Sequence, residues 1–146
     1  MFFEDIEVGT TIRVGSHRVV AHEIVEFARQ WDPLPIHTDE MAAAQSEFGG
    51  LIASGAHTIA IRTLLHHRLP TRDATIVTGG WDEVRFHVPV RPGDELSLEV
   101  TWLAKRESTS RPDRGIVTAL MKLLNQRGEV VLSNRDTIFI RRRQVV

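Results

Sequence analysis

Asp32 and His37 are the residues of this 146-residue chain whose types and spacing best suit chemistry. They lie five positions apart in a segment stiffened by Pro33 and Pro35. A carboxylate and an imidazole held close together can act on one water molecule. One group takes its proton, while the other orients the water or returns a proton to a substrate. The alternative is structural, with Asp32 forming a turn before proline and His37 serving as a half-buried loop residue. Residue types alone favour this structural interpretation.

A second candidate is the glycine-rich segment 49–57, which opens a predicted helix. The start of a helix offers unpaired N–H groups and the positive end of the helix dipole. Because Gly55 has no Cβ, a ligand can approach its backbone closely, and its N–H could stabilise an oxyanion. In the structural alternative, Ser54 caps the helix and Gly55 allows close packing. The two interpretations are compatible.

Three helices are expected to position these segments. Over residues 22–31, apolar side chains recur at i, i+3, i+4 and i+7, which predicts a helix that the two prolines then end in a rigid loop. Thr38 or Asp39 can cap a second short helix over 41–45. Over 51–69 the apolar residues occupy more than one stripe, which predicts a long, largely buried central helix.

Alternating polarity predicts β-strands on both sides of these helices. Two short strands are expected at 11–14 and 18–20, joined by a turn. After the central helix, segments 84–90 and 96–102 alternate at period two around a turn at 91–94. This pattern predicts a hairpin.

The last two predicted strands complete the architecture. They run over 117–123 and from about 129 to 141, and Asn134 and Asp136 predict a bulge or a solvent-facing middle in the second of them. A buried helix followed by four antiparallel strands indicates a single α+β domain over 1–146, in which a curved sheet wraps the helix. The open edges of such a sheet favour a homodimer.

Composition and charge exclude several classes of protein. The chain has 18 Lys and Arg against 19 Asp and Glu and no cysteine. Near neutrality argues against nucleic acid as the main partner, and the lack of cysteine excludes disulfides and thiol nucleophiles. No apolar stretch is long enough for a membrane span, and the first residues lack a basic flank, so a cytoplasmic protein is expected. His66 and His67 lack metal-ligand spacing, and 141–143 is expected to be a solvated strand end.

Three segments of the chain, which stand in a fixed order and spacing, carry a family resemblance. They are Phe27-Ala28-x-x-Trp31-Asp32-Pro33-Leu34-Pro35-Ile36-His37, Phe48-Gly49-Gly50-Leu51-Ile52-Ala53-Ser54-Gly55-x-His57-Thr58 and Val84-Arg85-Phe86-x-x-Pro89-Val90-Arg91-Pro92-Gly93-Asp94. Together they resemble the MaoC-like dehydratases and R-specific enoyl-CoA hydratases, over most of the chain from about residue 3 to 141.

The resemblance implies a hot-dog fold, a central helix wrapped by an antiparallel sheet, in a dimer with active sites at or near the subunit interface. It implies that Asp32 and His37 form the catalytic dyad and that the N–H of Gly55 binds the thioester carbonyl oxygen. Ser54, Pro33 and Leu34 are the neighbouring substrate-binding candidates. One departure is Leu34, which stands where the fuller hydratase pattern has an asparagine.

Coenzyme A is the substrate carrier that this resemblance implies, in a homodimer or a dimer of dimers. Arg85, Arg91 and Arg106 are candidates for binding its phosphates, because arginine suits phosphate geometry. No flavin, nicotinamide or metal motif is present, so no further cofactor is expected.

The leading hypothesis is an acyl-CoA hydratase/dehydratase that adds water to a 2-enoyl thioester or removes it from a 3-hydroxyacyl thioester. One alternative is a hot-dog thioesterase. Such enzymes more often take their acid from the central helix, and residues 54–69 contain no Asp or Glu. The other alternative is a non-catalytic acyl-CoA binding domain, suggested by Leu34.

Overall fold

A computed structural model describes residues 1–144, and the last two residues of the expected 1–146 domain lie outside it. The elements in chain order are β1 (Thr11–Arg18), α1 (Ala21–Trp31), α2 (Pro35–Thr38), α3 (Glu40–Gln45), α4 (Gly55–His66), β2 (Thr75–Phe86), β3 (Glu95–Glu107), β4 (Arg114–Leu124) and β5 (Val130–Arg141). Within residues 1–144, no helix has both the length and the apolarity needed to cross a membrane.

The five strands form one antiparallel sheet in the order β1-β3-β4-β5-β2. Alternate side chains of the inner strands are buried, and α1 and α4 cover them with Ile24, Ala28, Ile61 and Leu65. The buried side chains of β3 and β4 are Leu96, Leu98, Val100, Trp102, Val117, Ala119, Met121 and Leu123. The α+β class and the central helix packed on an antiparallel sheet are thus confirmed.

The cap of α3 follows the prediction, while the central helix is corrected at its start and at its end. Asp39 caps α3, because its carboxylate accepts hydrogen bonds from the N–H groups of Met41 (3.0 Å) and Ala42 (3.1 Å). The expectation of one buried helix over 51–69 is wrong at both ends. Residues 51–54 are extended, since the N–H of Ala53 bonds to the carbonyl of Val90 (2.8 Å), and the helix ends at His66.

The predicted hairpin is also wrong. β2 pairs with β5, while β3 lies on the far side of β4 and pairs with β1 and β4. The turn itself exists, since Gly93 has a φ of +90° and the carboxylate of Asp94 accepts a hydrogen bond from the N–H of Arg91 (2.9 Å). Period-two alternation indicates an extended chain with one buried face, but it does not identify the partner strand.

Two further strand predictions need correction. The two short N-terminal strands are one strand, β1, whose register against β3 shifts between Gly15 and His17. In β5, the register against β4 is regular at Asn134 and Asp136, but the pairing with β2 shifts opposite Asn134, where β2 has an extra residue between Asp82 and Arg85. A bulge is thus present, whereas the solvent-facing alternative is wrong for both residues. They are 3% and 0% exposed, because Arg62 of α4 reaches both side chains. This partner is distant in sequence, so the polar pair looked like a surface feature.

Candidate active site

The end of α1 positions Asp32. The helix ends at Trp31, and the N–H of Asp32 closes its last turn on the carbonyl of Ala28 (2.9 Å) before Pro33 stops it. Leu34 N–H bonds to the backbone carbonyl of Asp32 (2.8 Å), which leaves the carboxylate free of this turn. The side chain is 37% exposed, so the carboxylate can meet a solute.

His37 lies in the four-residue helix α2, which corrects the expected rigid loop. Pro35 occupies the first turn, where its missing N–H costs nothing and its fixed φ suits a helix. The Nδ1 of His37 lies 2.7 Å from the carbonyl oxygen of Ile52. A carbonyl oxygen only accepts hydrogen bonds, so Nδ1 carries a hydrogen, and Nε2 of the neutral ring is the basic nitrogen.

Nε2 of His37 faces Asp32. It lies 3.6 Å from Oδ2 of Asp32, and the imidazole is buried while the carboxylate is half-buried. This separation exceeds a direct hydrogen bond, but a hydroxyl or water oxygen beside the pair can come within hydrogen-bond reach of both groups. The geometry therefore suits two groups that act on one oxygen.

The first turn of α4 holds the second candidate. Ser54 is the N-cap, as expected, because its Oγ accepts a hydrogen bond from the N–H of His57 (3.1 Å). Within residues 1–144, the N–H groups of Gly55 and Ala56 have no hydrogen-bond partner. A Cβ at position 55 would lie 2.9 Å from Cζ of Phe86. Gly55 thus combines a free N–H with close packing of an aromatic ring.

One cavity of about 410 Å³ brings His37 and Gly55 together. Thr58 also lines it, and the remaining walls are mostly apolar: Phe48, Ile52, Ala53, Phe86, Val88, Pro89, Val90 and Val131, with the exposed His87 at one side. Asp32 is not among the residues that line the cavity. Its carboxylate lies 3.6 Å from Nε2 of His37, which does line it. An apolar chamber with few polar groups at one end is typical of a small-molecule site.

The remaining predicted site residues lie outside the walls of this cavity. Pro33 and Leu34 are exposed, and Leu34 contributes its carbonyl, which accepts the N–H of His37 (2.9 Å). Arg91 is half-buried and donates to the carbonyl of Phe48 (2.6 Å), so it supports one wall. Arg85 and Arg106 are exposed on β2 and β3. The structure does not bring the three arginines to this cavity.

A partly buried cluster beside the site was missed at the sequence level. Glu23 of α1 lies 2.7 Å from Nε2 of His17 and 3.3 Å from Nε2 of His57, and Phe27 stacks on the His57 ring at 4.6 Å. Burial lowers the pKa of His57, although Glu23 opposes this shift. The only sequence signal was an ionisable residue, His57, in the first turn of a mostly apolar helix.

A second polar cluster lies toward the other end of α4. Arg62 pairs with the carboxylate of Asp136 and donates through Nε to Asn134 (3.1 Å), and its guanidinium lies 5.3 Å from the Trp81 ring centre. Burial raises the pKa of Asp136, while Arg62 opposes this. Burial, with the charges of Arg62 and His67, lowers the pKa of His66 to about 4.

In the described part of the chain, no three His, Asp or Glu side chains are arranged to hold a metal ion.

Comparison with known proteins identifies relatives over nearly the whole chain. The family model described as "MaoC like domain" matches residues 5–122. The protein YdeM of Bacillus subtilis is 32% identical over 97% of this chain and 100% of its own length. The 3-hydroxybutyryl-CoA dehydratase of Methylorubrum extorquens is 35% identical over 76% of this chain and 71% of its own length.

Solved structures agree with this assignment. The MaoC-like dehydratase of Rhodospirillum rubrum is 46% identical, with a TM-score of 0.91, and the similarity covers 99% of both chains. Rv0216 of Mycobacterium tuberculosis, which has a double hotdog fold, is 16% identical with a TM-score of 0.81 over 100% of this chain and 46% of its own. This second similarity concerns the fold alone, and the hot-dog fold is confirmed.

Proposed function

Because this chain belongs to the MaoC-like domain family, we propose that it is an acyl-CoA hydratase/dehydratase acting on 2-enoyl and 3-hydroxyacyl thioesters. The observation that carries this proposal is the placement of Nε2 of His37 3.6 Å from Asp32, beside a cavity that Gly55 also lines. The 3-hydroxybutyryl-CoA dehydratase among the relatives supports the same class of substrate.

In the hydration direction, water adds across the C2=C3 bond of the thioester. As the water oxygen bonds to C3, its proton passes to Nε2 of His37, and Asp32 stabilises the imidazolium that forms. The electron pair of the double bond moves toward the thioester oxygen, and the dyad then returns a proton to C2. Dehydration is the reverse. Positioned acid–base groups of this kind contribute about a hundred- to ten-thousand-fold to a rate.

The enolate oxygen that develops during this reaction needs a hydrogen-bond donor. The N–H of Gly55 has no partner within residues 1–144 and lies at the positive end of α4. One donor of this type is worth about 3 to 4 kcal/mol in a transition state. The apolar walls of the cavity suit the acyl chain, and we propose Arg85 and Arg91, at the ends of the segment that forms one wall, for the phosphates of coenzyme A.

We also propose that the protein is a homodimer that pairs through the edge strand β2. This strand has an unpaired edge and carries exposed apolar side chains, Val77, Trp81 and Phe86. Phe86 packs on Gly55, so an interface along β2 would border the site. Sedimentation velocity should show a dimer or a dimer of dimers, and Val77→Glu should shift it toward monomer. A monomeric wild-type protein would contradict this.

The decisive experiment follows the loss of enoyl-thioester absorbance with a panel of 2-enoyl-CoA substrates. Asp32→Asn and His37→Gln should each remove turnover, while exposed Asp73→Asn and His22→Gln serve as matched controls with normal turnover. Full turnover by the Asp32→Asn, His37→Gln double variant would overturn the proposal. Release of free CoA would favour the thioesterase, and tight binding without turnover would favour a binding domain.

A further inference from the structure

Glu23 lies between two imidazoles from different elements. Its Oε2 is 2.7 Å from Nε2 of His17 on β1 and 3.3 Å from Nε2 of His57 on α4. The Glu23 side chain is 27% exposed, whereas that of His57 is 4% exposed. The contact with His17 is a hydrogen bond, which Nε2 of His17 donates because a carboxylate oxygen only accepts, and Nε2 of His57 lies within ion-pair distance of the same oxygen. The carboxylate therefore links three separate elements.

His57 is held tightly in this arrangement. Phe27 of α1 stacks on its ring with 9° between the ring planes, and His57 is 3% exposed. Its Nδ1 has no hydrogen-bond partner within residues 1–144. The interactions with Glu23 and Phe27 are thus the ones that set the ring's position, and both of these partners belong to α1.

The cluster connects the two halves of the proposed site. His57 is two residues after Gly55, and its backbone N–H is the group that Ser54 caps. Glu23 and Phe27 belong to the helix that ends immediately before Asp32. The Glu23–His57 contact and the Phe27 stack therefore join the first turn of α4 to α1, and with it the N–H of Gly55 to the element that leads into the dyad. A misplacement of about 1 Å between reacting groups can cost a hundredfold in rate.

We propose that Glu23 and His57 are positioning residues that hold the Gly55 N–H in register with Asp32 and His37. This inference rests on the proposed function of that site. It gives the two residues a role without contact to substrate, since neither lines the cavity. Their loss should lower kcat and leave KM nearly unchanged, because the acyl and coenzyme A contacts remain.

The kinetic test compares a variant that removes the Glu23–His57 contact with one that keeps it. Glu23→Ala should lower kcat by about ten- to a hundredfold, whereas Glu23→Gln keeps an oxygen acceptor for His57 and should restore most of the rate. His57→Gln, which keeps a side-chain N–H, is a second and milder variant. Glu26→Ala is the matched control, because Glu26 lies one turn along the same helix and pairs only with exposed Arg29. A wild-type kcat in Glu23→Ala, or a rise in KM alone, would overturn the proposal.

A second readout separates this inference from the hydratase proposal. Amide hydrogen exchange, followed by mass spectrometry in peptides covering residues 52–60, should be faster in Glu23→Ala and near wild type in Glu23→Gln. Unchanged exchange in Glu23→Ala would overturn the positioning role whatever the activity. If the wild-type protein hydrates no enoyl-CoA while Glu23→Ala exchanges faster, the proposed function fails and the link between α1 and α4 stands.

Discussion

A carboxylate paired with a basic side chain lies toward each end of α4, and the two pairs differ in geometry and exposure. Near the C-terminal end, Arg62 and Asp136 pair directly and are 3% and 0% exposed, with Asn134 bonded to both. At the N-terminal end, Asp32 and His37 are 3.6 Å apart, and Asp32 is open to solvent. The C-terminal pair is closed to solvent, although Oδ2 of Asp136 and Nε2 of His66 have no hydrogen-bond partner within residues 1–144, whereas the N-terminal pair stays accessible.

Under the proposed function, this difference reflects a structural use of charged groups at one end and a chemical use at the other. Each charged group of a buried ion pair needs its partner, because an unpaired buried charge strongly destabilises the folded state. A catalytic pair must instead leave lone pairs and hydrogens free for the substrate. The N–H of Gly55, which has no hydrogen-bond partner within residues 1–144, also lies at the N-terminal end of α4. Changes near the C-terminal end should therefore affect stability, and changes at the N-terminal end should affect turnover.

The largest expected effect is on stability, from Asp136→Ala. It leaves the Arg62 guanidinium buried without its carboxylate, which should lower the free energy of unfolding by about 3–5 kcal/mol. Urea unfolding measures this. The double variant Arg62→Met, Asp136→Leu should recover most of the loss, and Asp113→Ala, at an exposed ion pair, is the control with little change. If the single and double variants were equally unstable, the ion pair would not be the cause.

The next effect is on turnover, from removal of the Gly55 N–H. Gly55→Pro keeps a helix start, because proline is tolerated in the first turn. A second change in the same protein, Phe86→Ala, removes the aromatic ring that would otherwise clash with the side chain of the new proline. Relative to the matched Gly55→Ala, Phe86→Ala protein, which retains the N–H, kcat should fall about a hundred- to a thousandfold. Equal kcat values in the two proteins would remove Gly55 from the mechanism.

A pH effect should follow from His66 at the C-terminal end. Its pKa is lowered from 6.5 to about 4. Between these values the unfolded chain binds a proton that the folded chain does not. Stability is therefore lost as pH falls, by up to about 3 kcal/mol for this group. Urea unfolding at pH 6.5 and 4.5 should show a smaller decrease for His66→Asn than for wild type. The same decrease in both proteins would exclude His66 as the source.

The smallest effect is expected from the helix cap. Ser54→Ala removes the acceptor for the N–H of His57 and should cost about 1 kcal/mol of unfolding free energy, while Ser54→Gly should cost only a few tenths through the cap. Thermal unfolding of the two variants makes the comparison. If alanine were no worse than glycine here, the cap would contribute little.

Local features were predictable from the sequence. The apolar periodicity of α1, the Asp39 and Ser54 caps and the central helix on an antiparallel sheet were all confirmed. These depend on residues a few positions apart, whose propensities and spacing can be read directly. The stretch from Asp32 to His37 is equally local, which is why its candidate residues stood out.

Long-range pairing was not predictable. The expected hairpin failed because alternation marks the buried face of a strand and carries no information about its neighbour. Asn134 and Asp136 looked solvent-facing because their partner, Arg62, is more than 70 residues away. The Glu23–His57 contact was missed for the same reason, since the two residues are distant in sequence and belong to different helices.

The sequence by itself determined the helix caps at Asp39 and Ser54, which strand faces are apolar, and that an acid and a histidine stand close together in a proline-braced segment. Only the tertiary structure decided the strand order, the ion pair between α4 and β5 and the cavity that joins His37 to Gly55. Propensity and spacing act over a few residues. The burial that selects partners for charged groups is a property of the whole packed chain.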